Sequence, residues 1–188
     1  MKKRLLLFVA VLIFSVSVQT FGQQRQVSAA AKRVVTTLKN KDMRRLATFV
    51  HPTKGVRFSP YGFINTETDL IFKKSQVPNL MLLRRTYLWG SYDGSGDPIN
   101  LGFPGYYQKF IYDSDFARAP QVSYNRKIGS GNTTFNLAEV YPTGKFVEYY
   151  FPGKRKSGGM DWRSLRLIFE KSGARWYLVG VSHDQWTI

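Results

Sequence analysis

The chain has 188 residues, with 28 Lys and Arg against 12 Asp and Glu, a formal charge of +16 and 43% hydrophobic residues. That apolar content belongs to a chain that buries a core and excludes a disordered one. There is no cysteine, which excludes disulfides, thiolate metal sites and a lipid anchor on Cys.

Lys2, Lys3 and Arg4 form a basic start, and Leu5 to Val18 follow as an apolar run broken only by Ser15 and Ser17. Thr20 and Gly22 place small residues at −3 and −1 of a cleavage point after Gly22. These are the three parts of a secretory signal peptide, and the run is shorter than the roughly 20 residues of a membrane span. The expectation is a signal peptide at 1–22 and a single domain at 23–188, in the periplasm or outside the cell, with no retained membrane anchor.

Val27, Ala30, Ala31, Val34, Val35 and Leu38 recur at helical spacing. Asn40 is expected to end this helix in the left-handed conformation and Asp42 to cap the next. In the second helix Met43, Leu46, Ala47 and Val50 share a face, and His51-Pro52 stops it, because a residue before proline avoids the α region. Val56 to Phe58, Asp69 to Phe72, Thr86 to Tyr92 and Ile99 to Leu101 read as strands. Pro78 and Pro104 suit first turns of helices. Asp93 to Pro98 is a turn, and so are Gly129 to Asn132 and Pro142 to Lys145. Phe146 to Phe151 is a strand. Leu165, Leu167 and Phe169 alternate with Arg166 and Ile168 to open a final hairpin, which Lys171 to Ala174 turn and Trp176 to Ser182 complete. Helices first and strands after give an α+β fold, with an N-terminal helix pair packed on a curved antiparallel sheet. This order resembles the cone-shaped nuclear-transport-factor-like superfamily.

Three words in the sequence are more distinctive. His-Pro-x-Lys-Gly-Val-Arg-Phe-Ser-Pro runs from His51 to Pro60, and Trp-Gly-x-Tyr-Asp-Gly-Ser-Gly from Trp89 to Gly96. The third, Asp-Trp-x-Ser-Leu-Arg-Leu-x-Phe-Glu from Asp161 to Glu170, leads to Trp-Tyr-Leu-Val-Gly and a His-Asp-Gln-Trp-Thr-Ile end. Together they resemble a family of uncharacterised exported bacterial proteins, many of them lipoproteins, over about residues 27–188. The resemblance implies export and one domain, and it implies no activity. The lipid-bearing cysteine of the lipoprotein members is missing here.

The candidate chemistry is sparse. His51 and His183 titrate nearest neutrality. His183, followed by Asp184, closes the chain after a core strand, and with Asp161 it is a candidate general base in a pocket. His51 is expected to meet His183 there as a ligand-binding residue, with a cation at a helix C-terminus as its structural alternative. Asp161, Trp162 and Arg166 suit a ligand mouth, with Arg166 as anion contact; the alternative is a strand cap with Arg166 on the outer face. Trp89, Tyr149, Trp162 and Trp186 are expected to line a concave aromatic face. Asp93, Ser95 and Asp97 match the first positions of a calcium loop, but Pro98 and Pro104 stand where Gly and Glu are needed, so a turn is expected. A phosphate loop, a nucleophile elbow and a His-Glu-x-x-His motif are all missing, so neither cofactor nor metal is expected. The basic residues are scattered in small groups without a DNA- or RNA-binding signature, so the partner would be an anionic envelope polymer or a small molecule rather than a specific nucleic acid. Two readings stand: a non-enzymatic envelope domain for an anionic or amphipathic ligand, or a small lyase, isomerase or hydrolase of the cone type.

Overall fold

In the computed structural model, residues 2–129 and 134–187 are described, with side chains from residue 21 onward. The turn expected over Gly129 to Asn132 thus lies mostly outside the described residues. The fold is α+β, with N-terminal helices and a sheet rich in antiparallel pairs.

Helix α1 (Lys2–Lys39) continues without a break through Gly22, the expected cleavage point. Its packed part lies beyond that point. Gln23 Nε2 donates to the Tyr124 hydroxyl at 3.3 Å, and Val27, Ala31, Val34, Val35 and Leu38 are buried. Among the described residues, no helix is long and apolar enough to cross a membrane. The left-handed residue after α1 is Lys41 (φ 54°), not Asn40. Helix α2 (Met43–Phe49) starts as expected, with the Asp42 carboxylate accepting from Arg45 N at 2.9 Å.

Strands β1 (Val56–Ser59) and β2 (Leu70–Phe72) pair antiparallel. A 3-10 turn at Val77–Leu82, with Pro78 in its first turn, leads to β3 (Thr86–Ser91) and β4 (Pro98–Gly102). These two form their own sheet. Helix α3 (Phe103–Phe110) follows directly, with Pro104 in its first turn. The expectations had no element for β5 (Gln121–Tyr124) or the short α4 (Leu137–Val140). Then come β6 (Lys145–Phe151), β7 (Arg163–Ser172) and β8 (Arg175–Gln185).

The main sheet runs β2-β1-β8-β7-β6-β5. One pairing departs from the expected antiparallel arrangement, since β1 lies parallel to β8, with Phe58 beside Val181. The sequence-distant segments around Ser59 and Ser182 thereby become neighbours.

Both faces of β6, β7 and β8 are covered. On one face Val147, Tyr149, Leu165, Leu167, Phe169 and Val181 join the core with α1, α2 and α3. On the other, Phe146, Ile168 and Val179 pack with Ile64, Leu137 and Tyr141. The second face also buries charge. Arg166, Glu148 and Asp184 are fully buried. Arg166 donates to Glu148 at 2.9 Å and to Asp184 at 3.0 Å. Ser164 Oγ and Gly129 N donate to Glu148 as well. Gly62 runs so close over this cluster that a Cβ there would lie 2.6 Å from the Asp184 carboxylate. Arg166 is therefore not on an outer face. The loop side of the sheet is closed by the Ile64–Asn136 clasp, in which Ile64 N donates to the Asn136 carbonyl and Asn136 Nδ2 donates back to Ile64 O.

Removing one member of such a cluster leaves the other charges buried and uncompensated. Arg166→Met is expected to lower the unfolding free energy by about 3–5 kcal/mol, read from urea denaturation. The combination Arg166→Met, Glu148→Gln and Asp184→Asn is expected to regain part of that loss. Equal stability of Arg166→Met and the wild type would show that the cluster contributes nothing.

Candidate functional site

The alternation of β7 and β8 decides where the expected site residues lie. Tyr149, Leu165 and His183 are paired neighbours across three strands and share the helix-facing side. Glu148, Arg166 and Ser182 are their counterparts on the other register, with Asp184 beside them. Tyr149 and Trp89 are in the core. Trp162 is 5% exposed, beside Tyr150 and next to Gly129. Trp186 is 41% exposed. The four aromatics do not form one concave face.

His183 is fully buried, and the rings of Phe110 and Phe116 stand edge-on to it. Its Nε2 meets the Asp113 carboxylate at 3.1 Å. A carboxylate only accepts, so Nε2 is the donor. Nδ1 is buried without a partner among the described residues. Burial opposes charge on Asp113, yet its bonds to His183 and its attraction to Arg163 outweigh it and hold the carboxyl below its ordinary range. His183 is thus packed between two phenyl rings and bonded to Asp113, whose carboxylate lines an open cavity with Lys109, Arg163 and Gln185.

Asp161 lies in the loop before β7. It accepts from Lys154 N at 2.7 Å, and that bond is the main reason its carboxyl sits below the ordinary range. His51 lies towards the other end of β8, where its N donates to Leu178 O at 3.0 Å. Its Nδ1 accepts from Thr53 N and Lys54 N, which requires an unprotonated nitrogen. Burial, helped by Lys54, lowers its pKa. His51 is thus not the helix-end cation that its position suggested. The two histidines and Asp161 do not converge.

The place where chemistry does gather shares only Trp89 with the expected site residues. A cavity of about 500 Å³ opens between the segment after β1 and the β3–β4 hairpin. Tyr61, Phe63, Trp89 and Tyr92 contribute aromatic wall, and Asp69 and Asp93 contribute carboxylates. Lys and Arg are missing from its described lining. The three sequence words meet here. Pro60 ends the first, with Tyr61 directly after it, and Trp89 to Asp93 come from the second. From the third, Thr187 Oγ1 donates to the Asp93 carboxylate at 2.5 Å. Two more bonds fix the wall: Asp93 N donates to the Tyr61 hydroxyl, and Ser182 Oγ donates to Tyr61 O. The Asp93–Asp97 stretch is a hairpin turn, closed by Gly96 N donating to Tyr92 O.

Asp69 is 8% exposed. One carboxylate oxygen accepts from Ser59 Oγ at 2.5 Å and Asn65 N at 3.0 Å. The ion pairs among the described residues do not include it. Arg57 lies near: its Nη1 donates to the carbonyls of Asn65, Thr66 and Asp69 itself, and its charge favours the Asp69 carboxylate. Burial wins over these bonds and pushes the Asp69 pKa up to about 6. Behind it, Trp89 stacks on Tyr106 at 3.7 Å. The Tyr106 hydroxyl is buried without a partner among the described residues. After burial itself, Asp69 and Tyr61 are what raise its pKa. Buried carboxylates with raised pKa values in a cleft mark functional sites more often than chance.

No protein-family model matches the chain, and no curated protein matches it.

The raised pKa is also a statement about stability. The folded form holds the Asp69 proton more tightly than the unfolded chain, whose carboxyl has a pKa of 3.8. The stability gained from that proton is complete below about pH 4 and is lost as the pH rises through about 6. Two units correspond to about 3 kcal/mol as an upper figure. Asp69→Asn is expected to be more stable than the wild type at pH 7, with the difference fading towards pH 4. Parallel urea titrations of both proteins from pH 4 to 7.5 measure this. A constant difference across that range would rule it out.

Proposed function

We propose that the protein is an exported, non-enzymatic binding domain that holds a small amphipathic ligand in the Asp69 cavity. The signal-peptide pattern at 1–22 supports export. The helix pair followed by a sheet supports a cone of the nuclear-transport-factor-like type. The carrying observation is the cavity itself, walled by Tyr61, Phe63 and Tyr92 with one nearly buried carboxylate inside. Ligand pockets pair apolar walls with few placed polar groups in this way. Of the two ligand chemistries, amphipathic fits this wall better than anionic. An anion would face Asp69 and Asp93 with no cation in the described lining.

The enzyme alternative has one observation in its favour, a carboxyl with a pKa of about 6 inside the cavity. That moves the candidate base from His183 and Asp161 to Asp69.

The test is a thermal-shift series with eight-carbon amphiphiles of different head groups. A ligand at 100 times its Kd stabilises by about 2.7 kcal/mol, which raises Tm by about 5–10 °C for a chain of this size. Ser91, exposed at the cavity rim, offers a control. Ser91→Trp is expected to fill the mouth and abolish the shift while leaving the unliganded Tm close to wild type. An equal shift in Ser91→Trp would move binding elsewhere, and no shift in the wild type would end the proposal.

A further inference from the structure

The cavity also carries information about the ligand's charge. Asp69 is nearly buried, and its carboxylate is paired with no cation among the described residues. Among the described residues only one of its oxygens is held, by Ser59 and Asn65. A carboxylate in such a place is stabilised by whatever brings a positive charge or a strong donor to it. A ligand group that donates at the Asp69 end would meet the carboxylate oxygen that Ser59 and Asn65 leave free.

The aromatic wall suits the same chemistry. Ammonium groups are attracted to the faces of Tyr and Trp rings. The protein already shows this at the rim, where Lys109 Nζ lies 4.3 Å from the centre of the Tyr92 ring and donates to the Tyr92 hydroxyl at 3.2 Å. Tyr61 presents a further ring on the wall. The overall charge of +16 works against a cation at long range. At physiological ionic strength that field is screened beyond about 8 Å, so the local carboxylate decides.

Resting on the binding function stated above, we propose that the cavity selects ligands bearing a protonated amine, the ammonium lying against the Asp69 carboxylate and the apolar tail along Tyr61, Phe63 and Tyr92. Quaternary ammonium groups fit less well, since they bring charge without an N–H to donate to Asp69.

The experiment is calorimetric titration of the full chain at pH 7.5 and 0.15 M salt with octylamine, octanol, octanoate and octyltrimethylammonium. Octylamine is expected to bind about tenfold or more tightly than octanol, as a charge-assisted hydrogen bond implies, and octanoate most weakly. Asp69→Asn is expected to remove the preference, leaving octylamine and octanol within about threefold of each other. Octanol or octanoate binding as tightly as octylamine overturns the amine proposal and leaves the cavity as an amphiphile site. A preference for octylamine that survives in Asp69→Asn places the cation elsewhere and overturns it too. Equal affinity for octyltrimethylammonium and octylamine removes the donor role and reduces the proposal to charge alone. If all four fail to bind, both the cavity function and the amine selectivity fall. The comparison of head groups in the wild type decides the point even if Asp69→Asn does not fold.

Discussion

The constraint that shapes this molecule is that the β7–β8 hairpin buries both of its faces. A sheet with one wet face could leave Arg166 in water. Here the segment from Gly62 to Ile64 and the segment around Asn136 close over it. Water is then unavailable to Arg166, and two carboxylates replace it. The covering loops need anchoring for the same reason, and Glu148 provides part of that by accepting from Ile128 N and Gly129 N. A buried ion cluster of this kind contributes little net stability by itself. Its effect is to fix which loops lie where.

That fixed loop position creates the cavity. The chain leaves β1 at Ser59 and passes under β8, where Ser182 binds Tyr61 O. It must then return to β2, and the return carries Asp69 back to the Ser59 hydroxyl. The β3–β4 hairpin is held against this turn by Asp93 N on Tyr61 and by Thr187 on Asp93. The cavity lies between two segments that are each pinned to the C-terminal strand. Its carboxylate is stranded in low dielectric by the same packing, which is why burial outweighs the two hydrogen bonds that favour the charged form.

Local structure was largely legible in the sequence. Asp42 was readable as a cap, Pro78 and Pro104 as first-turn residues, and the final hairpin from alternation alone. These depend on neighbours a few residues apart. The parallel pairing of β1 with β8 was not legible, because it joins residues 57–59 to 180–182 and has no local signature. The alternation of Arg166 with Leu165 and Leu167 reads equally as a wet face or a covered one, and only the distant Gly62 loop decides. His183 and Asp161 drew notice for their chemical type; in the fold each is bonded separately, to Asp113 and to Lys154 N. Asp69 drew none, as an ordinary acid before a short strand. The usable signal was the three words themselves. Each contributes side chains or bonds to one cavity, and a search for where the words meet would have led to Pro60, Asp93 and, through Ser59, Asp69.

The charge of the chain and the charge of the site point in opposite directions. The scattered Lys and Arg pairs give a positive surface, while the described cavity lining holds two carboxylates and no cation. A surface field acts on encounter and solubility. A nearly buried carboxylate acts at contact distance, where the local dielectric is low and salt does not screen. A ligand of the proposed kind would therefore be chosen at the cavity and not at the surface. An anionic polymer drawn to the outside would meet Lys and Arg without entering the cavity, while a small amine crossing that positive surface would gain most at Asp69. Surface and cavity can thus serve different partners on one fold.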